Sequence, residues 1–169
     1  MNSLRRLLDR ILGGAIALLM AVMVLNVLWQ VFTRFIINDP SSFTEEAARY
    51  LMIWVGLLGA AFAFGQKAHL ALDLITARLT GARKRASEIF IQATVLFFAL
   101  AVMVGGGVRL VWIQLALGQV SIALGVKLGY VYLVVPLSGG FIALYSILSL
   151  LDLMRTRNEP AARSTEAGR

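Results

Sequence analysis

The charged residues that could do chemistry stand at the edges of long apolar runs. Glu45 and Glu46 follow a short link of turn residues, and Arg49 is four residues beyond Glu45, a spacing that allows an ion pair. Thr44 is a candidate N-cap, with the two acids in the first helical turn, where the helix dipole favours them. These residues are either a functional site at the mouth of a helix or solvated residues beside lipid headgroups.

The residue types that the chain lacks exclude several kinds of chemistry. His69 is the single histidine and cysteine is absent, which excludes a bis-histidine haem, a cysteine metal site, a thiolate nucleophile and a disulfide within this chain. No phosphate-binding Gly-Lys-Ser/Thr loop occurs. Ion-coupled transporters usually need an ionisable residue within the membrane. No acidic or basic residue lies in the central part of any apolar run of this chain. The residues indicate a membrane scaffold without a cofactor, not an enzyme.

Polar and small residues recur at helical spacing in the first two runs. Asn26, Gln30 and Thr33 share one helical face, and polar side chains in lipid seek partners on another helix. We predict a packing seam here in preference to a substrate path, because no charge joins this face. Small residues at helical spacing let two backbones approach closely. In the second run they are Gly56, Gly59, Ala60 and Ala63.

Four charge-free runs must position these residues. A membrane-spanning helix needs about 20 mostly apolar residues. The runs hold 23, 17, 20 and 24 residues and cover Ile11–Thr33, Tyr50–Gln66, Ile89–Val108 and Leu128–Leu151. The first run is too long for a signal peptide and predicts a retained helix. We therefore predict an all-α membrane domain over 11–154. Its four transmembrane helices are expected at about 11–36, 45–66, 87–117 and 130–152.

The distribution of basic residues predicts the topology. With four spans, twelve of the 16 basic residues lie on the side of both termini. The other side carries Arg34, Arg49, Arg109 and Lys127. The positive-inside rule then places both termini in the cytoplasm, with 1–10 as a cytoplasmic lead and 155–169 as a disordered cytoplasmic tail. The net charge of +7 reflects topology and contact with lipid headgroups, not nucleic-acid binding.

Two connecting segments leave alternatives open. The segment 67–88 carries apolar residues at helical spacing and is predicted to be a short interfacial amphipathic helix; an ordinary basic loop is the alternative. The segment 110–126 could form a fifth span, but that would move the basic C-terminal tail outside. We predict one long third helix to about Leu117 and then a partly buried external loop. Pro136 would kink the fourth helix or mark a packing notch.

The order and spacing of these features resemble the small membrane subunit of tripartite ATP-independent periplasmic (TRAP) transporters, the DctQ type. The resemblance covers roughly 25–151 and is strongest in WQVFTRFIINDPSSFTEEAARYLMIWVGLLGAAFAFGQKAHLALDLI. The positions that match the family pattern are Arg34, Glu45, Glu46, Trp54, Gly59, Ala60, His69 and Asp73. The stretch GQVSIALGVKLGYVYLVVPLSGG, with Pro136, is also similar. The family often has a proline before that helix, where this chain reads Val126-Lys127-Leu128.

The resemblance implies a scaffold role in a bacterial inner membrane. Such a subunit pairs with a large membrane subunit that carries the substrate and sodium sites and works as an elevator, while a periplasmic protein delivers the substrate, expected to be a small organic acid. Two rivals remain. A self-sufficient oligomeric transporter typically carries a membrane-embedded acid, which this chain lacks. A membrane-bound enzyme or electron-carrier subunit could not hold a common redox centre with one histidine and no cysteine.

Overall fold

A computed structural model describes residues 2–39, 41–66 and 82–155, and nearly all of them are helical. The α-helices in chain order are α1 (Asn2–Phe32), α2 (Ser42–Gly65), α3 (Ala82–Phe98), α4 (Gly107–Ala116), α5 (Leu128–Tyr132) and α6 (Val134–Arg155). A π-helical segment, Thr33–Ile37, extends α1, and a second, Ala99–Gly106, joins α3 to α4 into one long third helix. We call the end with the 38–41 and 117–127 connections the outer end, and the opposite end the inner end.

Four of these helical stretches are long and apolar enough to cross a membrane. They are Arg5–Ile37, Ser42–Gly65, Ala86–Ala116 and Leu128–Leu153. The prediction of an all-α protein with four transmembrane helices is therefore confirmed. The described residues contain no fifth candidate span, and the third helix ends at Ala116, within one residue of its predicted end.

Helix α6 is the centre of the bundle and α1 and α3 are its edges. α2 packs against α1 on one side and against α6 on the other, while α6 also packs against α3 and the π-helical segment that follows it. In an apolar 18-residue stretch of the fourth span 39% of the residues are buried inside the protein, against 6% in the corresponding stretches of the first and third spans. The edge helices therefore present most of their apolar surface outward.

Glycine brings the third helix and α6 into backbone contact. A Cβ added at Gly107 would lie 2.8 Å from Cδ of Pro136, and one added at Gly139 would lie 2.6 Å from Cβ of Met103. Both positions are buried. Pro136 itself stands in the first turn of α6, where a missing N–H is tolerated, just after the break at Leu133 that separates α5 from α6.

The connection between α4 and α5 is a structured loop. Gly118 and Gly125 have φ of 61° and 65°, a left-handed conformation that glycine adopts without steric cost. An antiparallel bridge joins Val120 to Lys127. Ser121 is buried whereas Ile122 is fully exposed, so this is the partly buried loop that the sequence predicts after the third helix.

Three helix starts lie earlier than the sequence predicts, and one of them is α3, which is already helical at Ala82 and not only from about 87. Thr44 is not the N-cap of α2: the helix begins at Ser42 after Ser41, and the Thr44 hydroxyl donates to the Ser41 carbonyl at 2.8 Å. Helix α1 begins at Asn2, not near Ile11. The first turns of α1 carry Arg5 and Asp9, which bind side chains of α6.

Several predictions fall on residues that the structure does not describe. The expected interfacial helix within 67–88 has its apolar face at residues outside the described ranges, and His69 and Asp73 are also outside them. The described part of that segment, 82–88, forms the start of α3. The predicted disordered tail lies outside the described residues from 156 onward.

Candidate functional site

At the outer end, Glu46 holds the loop between α4 and α5 against the start of α2. Its Oε1 accepts a hydrogen bond from the Tyr50 hydroxyl at 2.7 Å, and its Oε2 accepts one from the Ala123 N–H, 77 residues away in sequence, at 2.9 Å. Ser121 also contacts this carboxylate and accepts from the Leu124 N–H at 3.2 Å. We call Glu46, Tyr50, Ser121 and Ala123 the outer network.

Glu45 and Glu46 are neighbours with different surroundings. Glu45 pairs with Arg49 at 3.8 Å, and the side chains of Arg49 and Glu45 are 63% and 68% exposed. A surface pair of this kind contributes little to stability. The two acids that the sequence groups together are therefore separated by the structure: Glu46 is a structural link and Glu45 is free to meet solvent or a partner.

The predicted polar seam on α1 is only partly used within this chain. Asn26 donates from Nδ2 to the Thr44 carbonyl at 2.8 Å, which joins α1 to α2. Thr33 is buried, but its hydroxyl donates to the carbonyl of Gln30 in its own helix at 3.0 Å. The Gln30 side chain is half-buried. One of the three polar residues therefore reaches a second helix.

Trp54 joins α2 to α5 inside the bundle. Its ring N–H donates to the Val131 carbonyl at 3.0 Å, and Val131 is buried. Arg34, by contrast, is exposed on the π-helical extension of α1. Of these two positions from the family pattern, one packs within the chain and the other points away from it.

At the inner end, charged and hydroxyl side chains join the first helix to the last. Arg5 forms an ion pair with Asp152 at 3.0 Å and donates to Oγ of Ser149 at 3.2 Å. The Tyr145 hydroxyl donates to Oδ1 of Asp9 at 2.7 Å. We call these five residues the inner network. These contacts are not among those predicted from the sequence, although the four-residue spacing from Arg5 to Asp9 and the three-residue spacing from Ser149 to Asp152 each place a pair on one helix face.

The inner network lies on a tightly packed apolar core. Tyr145 is 2% exposed and packs with Leu12, Ala61 and Phe64. A Cβ added at Gly65 would lie 2.5 Å from Cζ of the tyrosine ring. The ring therefore occupies space that only a glycine leaves open, and its hydroxyl is held by Asp9.

The small-residue face of α2 is open. Gly56, Ala60 and Ala63 are exposed, and nothing lies within 4 Å of a Cβ added at Gly56 or Gly59. Within the described residues this face packs against no other helix. The close-packing glycines of the chain are instead elsewhere, at Gly65 and along the third helix and α6.

The described residues support joining and positioning of helices but supply no catalytic set. In residues 2–39, 41–66 and 82–155, no group of three His, Cys, Asp or Glu side chains could hold a metal ion. The polar side chains that the structure brings together, in the outer and inner networks, bind one another. The open features are the small-residue face of α2, the exposed end of α1 and the Glu45–Arg49 pair.

Comparison with known proteins gives a consistent result. The family model described as "Tripartite ATP-independent periplasmic transporters, DctQ component" matches residues 23–156. The sialic acid TRAP transporter small permease protein SiaQ of Vibrio cholerae is 25% identical over 158 residues, covering 92% of this chain and 88% of that protein. The isethionate TRAP transporter permease protein DctMQ of Oleidesulfovibrio alaskensis is 30% identical over 112 residues, 66% of this chain but 18% of that protein.

Proposed function

Since the chain belongs to the DctQ family and is the small permease subunit of a TRAP transporter, we propose that it is the fixed scaffold of a sodium-coupled importer of small organic acids. In this proposal a large membrane subunit carries the substrate and sodium sites, and a periplasmic binding protein delivers the substrate. Both termini of the small subunit lie in the cytoplasm of a bacterium. A transporter component of this kind is not an enzyme.

The observation that carries the scaffold proposal is the contrast between closed ends and an open face. Helices α1 and α6 are joined by a hydrogen bond and an ion pair at the inner end, where Ala61 and Phe64 of α2 pack against Tyr145. At the outer end, α2 is joined to the loop and to α5. The small residues of α2 face outward with room for a second backbone. A rigid frame with one face suited to close helix packing fits a subunit that supports a larger partner.

A relative supports the identity of that partner. The chain corresponds to 18% of the length of the isethionate permease protein DctMQ, so in that protein the small component is part of a much longer permease chain. Because the two components are one polypeptide in that relative, close association of the separate small and large subunits is expected here. We propose that Gly56, Ala60 and Ala63 contact a helix of the large subunit.

The substrate class is proposed from chemistry that the relatives share. Sialic acid carries a carboxylate and isethionate carries a sulfonate, and the names of those relatives assign these substrates to them. Small organic anions, carboxylates first, are therefore the compounds to test. Uptake by the full transporter should depend on a sodium gradient and on the periplasmic binding protein.

Ala60→Leu tests the scaffold proposal directly. The larger side chain fills the open face of α2, so we expect several-fold lower recovery of the large subunit when the small subunit is purified through a C-terminal tag. Ala17→Leu is the matched control, because Ala17 is also exposed but lies on α1. Both variants should insert in the membrane at the normal level.

Other results would change the assignment. Normal recovery of the large subunit with Ala60→Leu would rule out this face as the docking surface. A homo-oligomer that purifies without any large membrane partner, and that transports alone, would favour the self-sufficient transporter. In that case the polar face of α1 would become the leading candidate for a substrate path.

A further inference from the structure

The basic residues of the outer end do not lie at one height along the bundle. The first charged residue beyond an apolar run marks where a helix leaves the hydrocarbon. The markers of the four spans are Arg34, Arg49, Arg109 and Lys127. Contacts between the helices show how far apart these markers are along the bundle axis.

Arg34 on α1 lies well outside Arg49 on α2. The hydrogen bond from Asn26 to the Thr44 carbonyl, at 2.8 Å, places these two residues at nearly the same height. Arg34 is eight residues further out than Asn26, and Arg49 is five residues further in than Thr44. At about 1.5 Å per helical residue, the two arginines are roughly 20 Å apart along the axis.

Arg49 and Lys127 are nearly level. The hydrogen bond from Trp54 to the Val131 carbonyl, at 3.0 Å, sets the relative height of α2 and α5. Arg49 is five residues further out than Trp54, and Lys127 is four residues further out than Val131. These two basic residues therefore mark one height on the two central helices, and we call the plane at this height, perpendicular to the bundle axis, the plane of Arg49.

Arg109 on α4 lies inside that plane. A Cβ added at Gly129 would be 2.5 Å from Cγ of Leu115 and 3.3 Å from the Val111 carbonyl, so Gly129 on α5 is level with the part of α4 between these two residues. Val111 and Leu115 are themselves two and six residues further out than Arg109. Lys127 is two residues further out than Gly129. Arg109 is therefore four to eight residues below Lys127, or about 6–12 Å along the axis.

The inner end of α1 is shifted in the same direction. The ion pair between Arg5 and Asp152, at 3.0 Å, places these residues level. Asp152 is the first charge beyond the apolar run of α6, whereas on α1 the first charge is Arg10, five residues further out than Arg5. Helix α1 is thus displaced outward at both ends, by about 7 Å at the inner end.

We propose that the four helices cross the bilayer inclined from its normal, with lipid covering the exposed outer half of α1. The hydrocarbon is about 30 Å thick. In an upright bundle with its boundary at Arg49 and Lys127, Arg109 would lie in hydrocarbon and apolar residues of α1 would stand in water. These include Leu25, Leu28 and Phe35, which are 67%, 60% and 71% exposed.

Inclination moves all four markers toward the membrane surface; with about 8–10 Å between neighbouring helices, a slope of about 40° removes about 7–8 Å of the height difference between Arg34 and Arg49. Arg34 is on one edge helix and Arg109 belongs to the other, so a slope across the row of helices raises one and lowers the other. Transmembrane helices tilt by about 20° on average and up to about 40°, and long arginine side chains reach toward the headgroups over several Å. The proposal rests on the four-span topology and not on docking to the large subunit.

The absence of cysteine allows a direct measurement of depth by single spin labels. Leu28→Cys and Trp112→Cys place nitroxides at two exposed positions, 60% and 69%. Leu28 is six residues inside Arg34, whereas Trp112 is three residues outside Arg109. Collision rates with oxygen, which concentrates in lipid, and with a neutral nickel chelate, which stays in water, are measured on the full chain in phosphatidylcholine–phosphatidylglycerol vesicles.

We expect the Leu28 label to be deeper than the Trp112 label, with oxygen collisions dominant at Leu28 and nickel collisions higher at Trp112. An upright bundle reverses this order, because Leu28 would then lie outside the plane of Arg49. Low collision rates with both reagents at Leu28 would mean that protein covers it. Either of those results overturns the proposal.

Three further positions calibrate and secure the comparison. Ile122→Cys, at the fully exposed loop tip, gives the aqueous reference, and Leu18→Cys, 66% exposed in the middle of α1, gives the lipid reference. Ile113→Cys replaces Trp112→Cys if loss of the tryptophan prevents folding. Recovery of the large subunit is measured separately, so failure of the scaffold proposal leaves the depth order unaffected.

Discussion

The inner and outer networks both join parts of the chain that are distant in sequence, but with different means. The inner network uses an ion pair, a buried tyrosine ring and side chains from two long helices, α1 and α6. The outer network uses one carboxylate of α2 that accepts hydrogen bonds from a hydroxyl and from the backbone of a loop.

The difference indicates where the fold is closed and where it can adjust. At the inner end, the first and last helices are joined over 136 and 144 residues of sequence, and the tyrosine ring fills the space that Gly65 leaves open. At the outer end, the loop from 117 to 127 has its own bridge between Val120 and Lys127 and is bound to α2 through the Glu46 carboxylate and its neighbour Tyr50. Substitutions at the inner end should therefore affect the whole bundle, and those at the outer end only the loop.

The largest effect is expected for Tyr145→Ala. Loss of the buried ring leaves a cavity among Leu12, Ala61 and Phe64 and removes the partner of Asp9, so the free energy of unfolding should fall by about 3–5 kcal/mol. Tyr145→Phe removes only the hydroxyl and should cost about 2 kcal/mol. Thermal unfolding of the purified chain in mild detergent measures both. Equal midpoints for Tyr145→Ala and the native chain would contradict a central role for the inner network.

A smaller effect is expected for Gly65→Ala. The new methyl group meets a ring that is held by Asp9 and cannot withdraw, and overpacking of this kind costs about 1–3 kcal/mol. Gly56→Ala is the matched control in the same helix, where nothing lies within 4 Å of the added atom. The same unfolding measurement should show Gly56→Ala as neutral or slightly stabilising, because alanine favours the helix. Similar losses from both variants would contradict the glycine argument.

Glu46→Ala should loosen the outer loop without unfolding the bundle. The Ala123 N–H and the Tyr50 hydroxyl lose their acceptor, so hydrogen exchange in the 117–127 loop should rise by roughly tenfold. Exchange in α6 should stay unchanged, which separates a local from a global effect. An unchanged loop would show that the bridge between Val120 and Lys127 is sufficient to hold it.

The smallest effect is expected for Glu45→Ala and Arg49→Ala. Their side chains are largely exposed and 3.8 Å apart, so neither thermal unfolding nor loop exchange should change measurably. If Glu45→Ala nevertheless weakens uptake by the full transporter while recovery of the large subunit is normal, Glu45 contacts the binding protein or the large subunit. Normal uptake would leave the pair as solvated residues at a helix start.

The sequence predicts the helices well because apolar runs bounded by charges are a strong signal. The long third helix and the following loop were predicted from the cost of moving the basic tail across the membrane. The inner network is not predicted because its three charged residues, Arg5, Asp9 and Asp152, lie beyond the apolar runs, where charge indicates only topology. Contacts between α1 and α6 depend on how the bundle folds, which local spacing does not determine.

The site residues were predicted less completely than the fold. Glu45 and Glu46 look alike in sequence, and only the position of the loop around Ala123 separates them. The small residues of α2 predict close helix packing, but none of the helices that the structure describes meets them. Small residues at helical spacing suit packing against a helix of the same chain or of a second chain equally well, so their spacing alone does not distinguish the two.

The π-helical segment Ala99–Gly106 affects how this chain should be aligned with its relatives. A π-turn closes its hydrogen bond over five residues where an α-turn uses four, so it holds surplus residues without moving the helices on either side. Deleting one residue between 99 and 106 should convert part of the segment to ordinary α-helix while Gly107 still meets Pro136. Relatives that are shorter there can keep the same contacts, and a gap in that stretch does not signal a different fold.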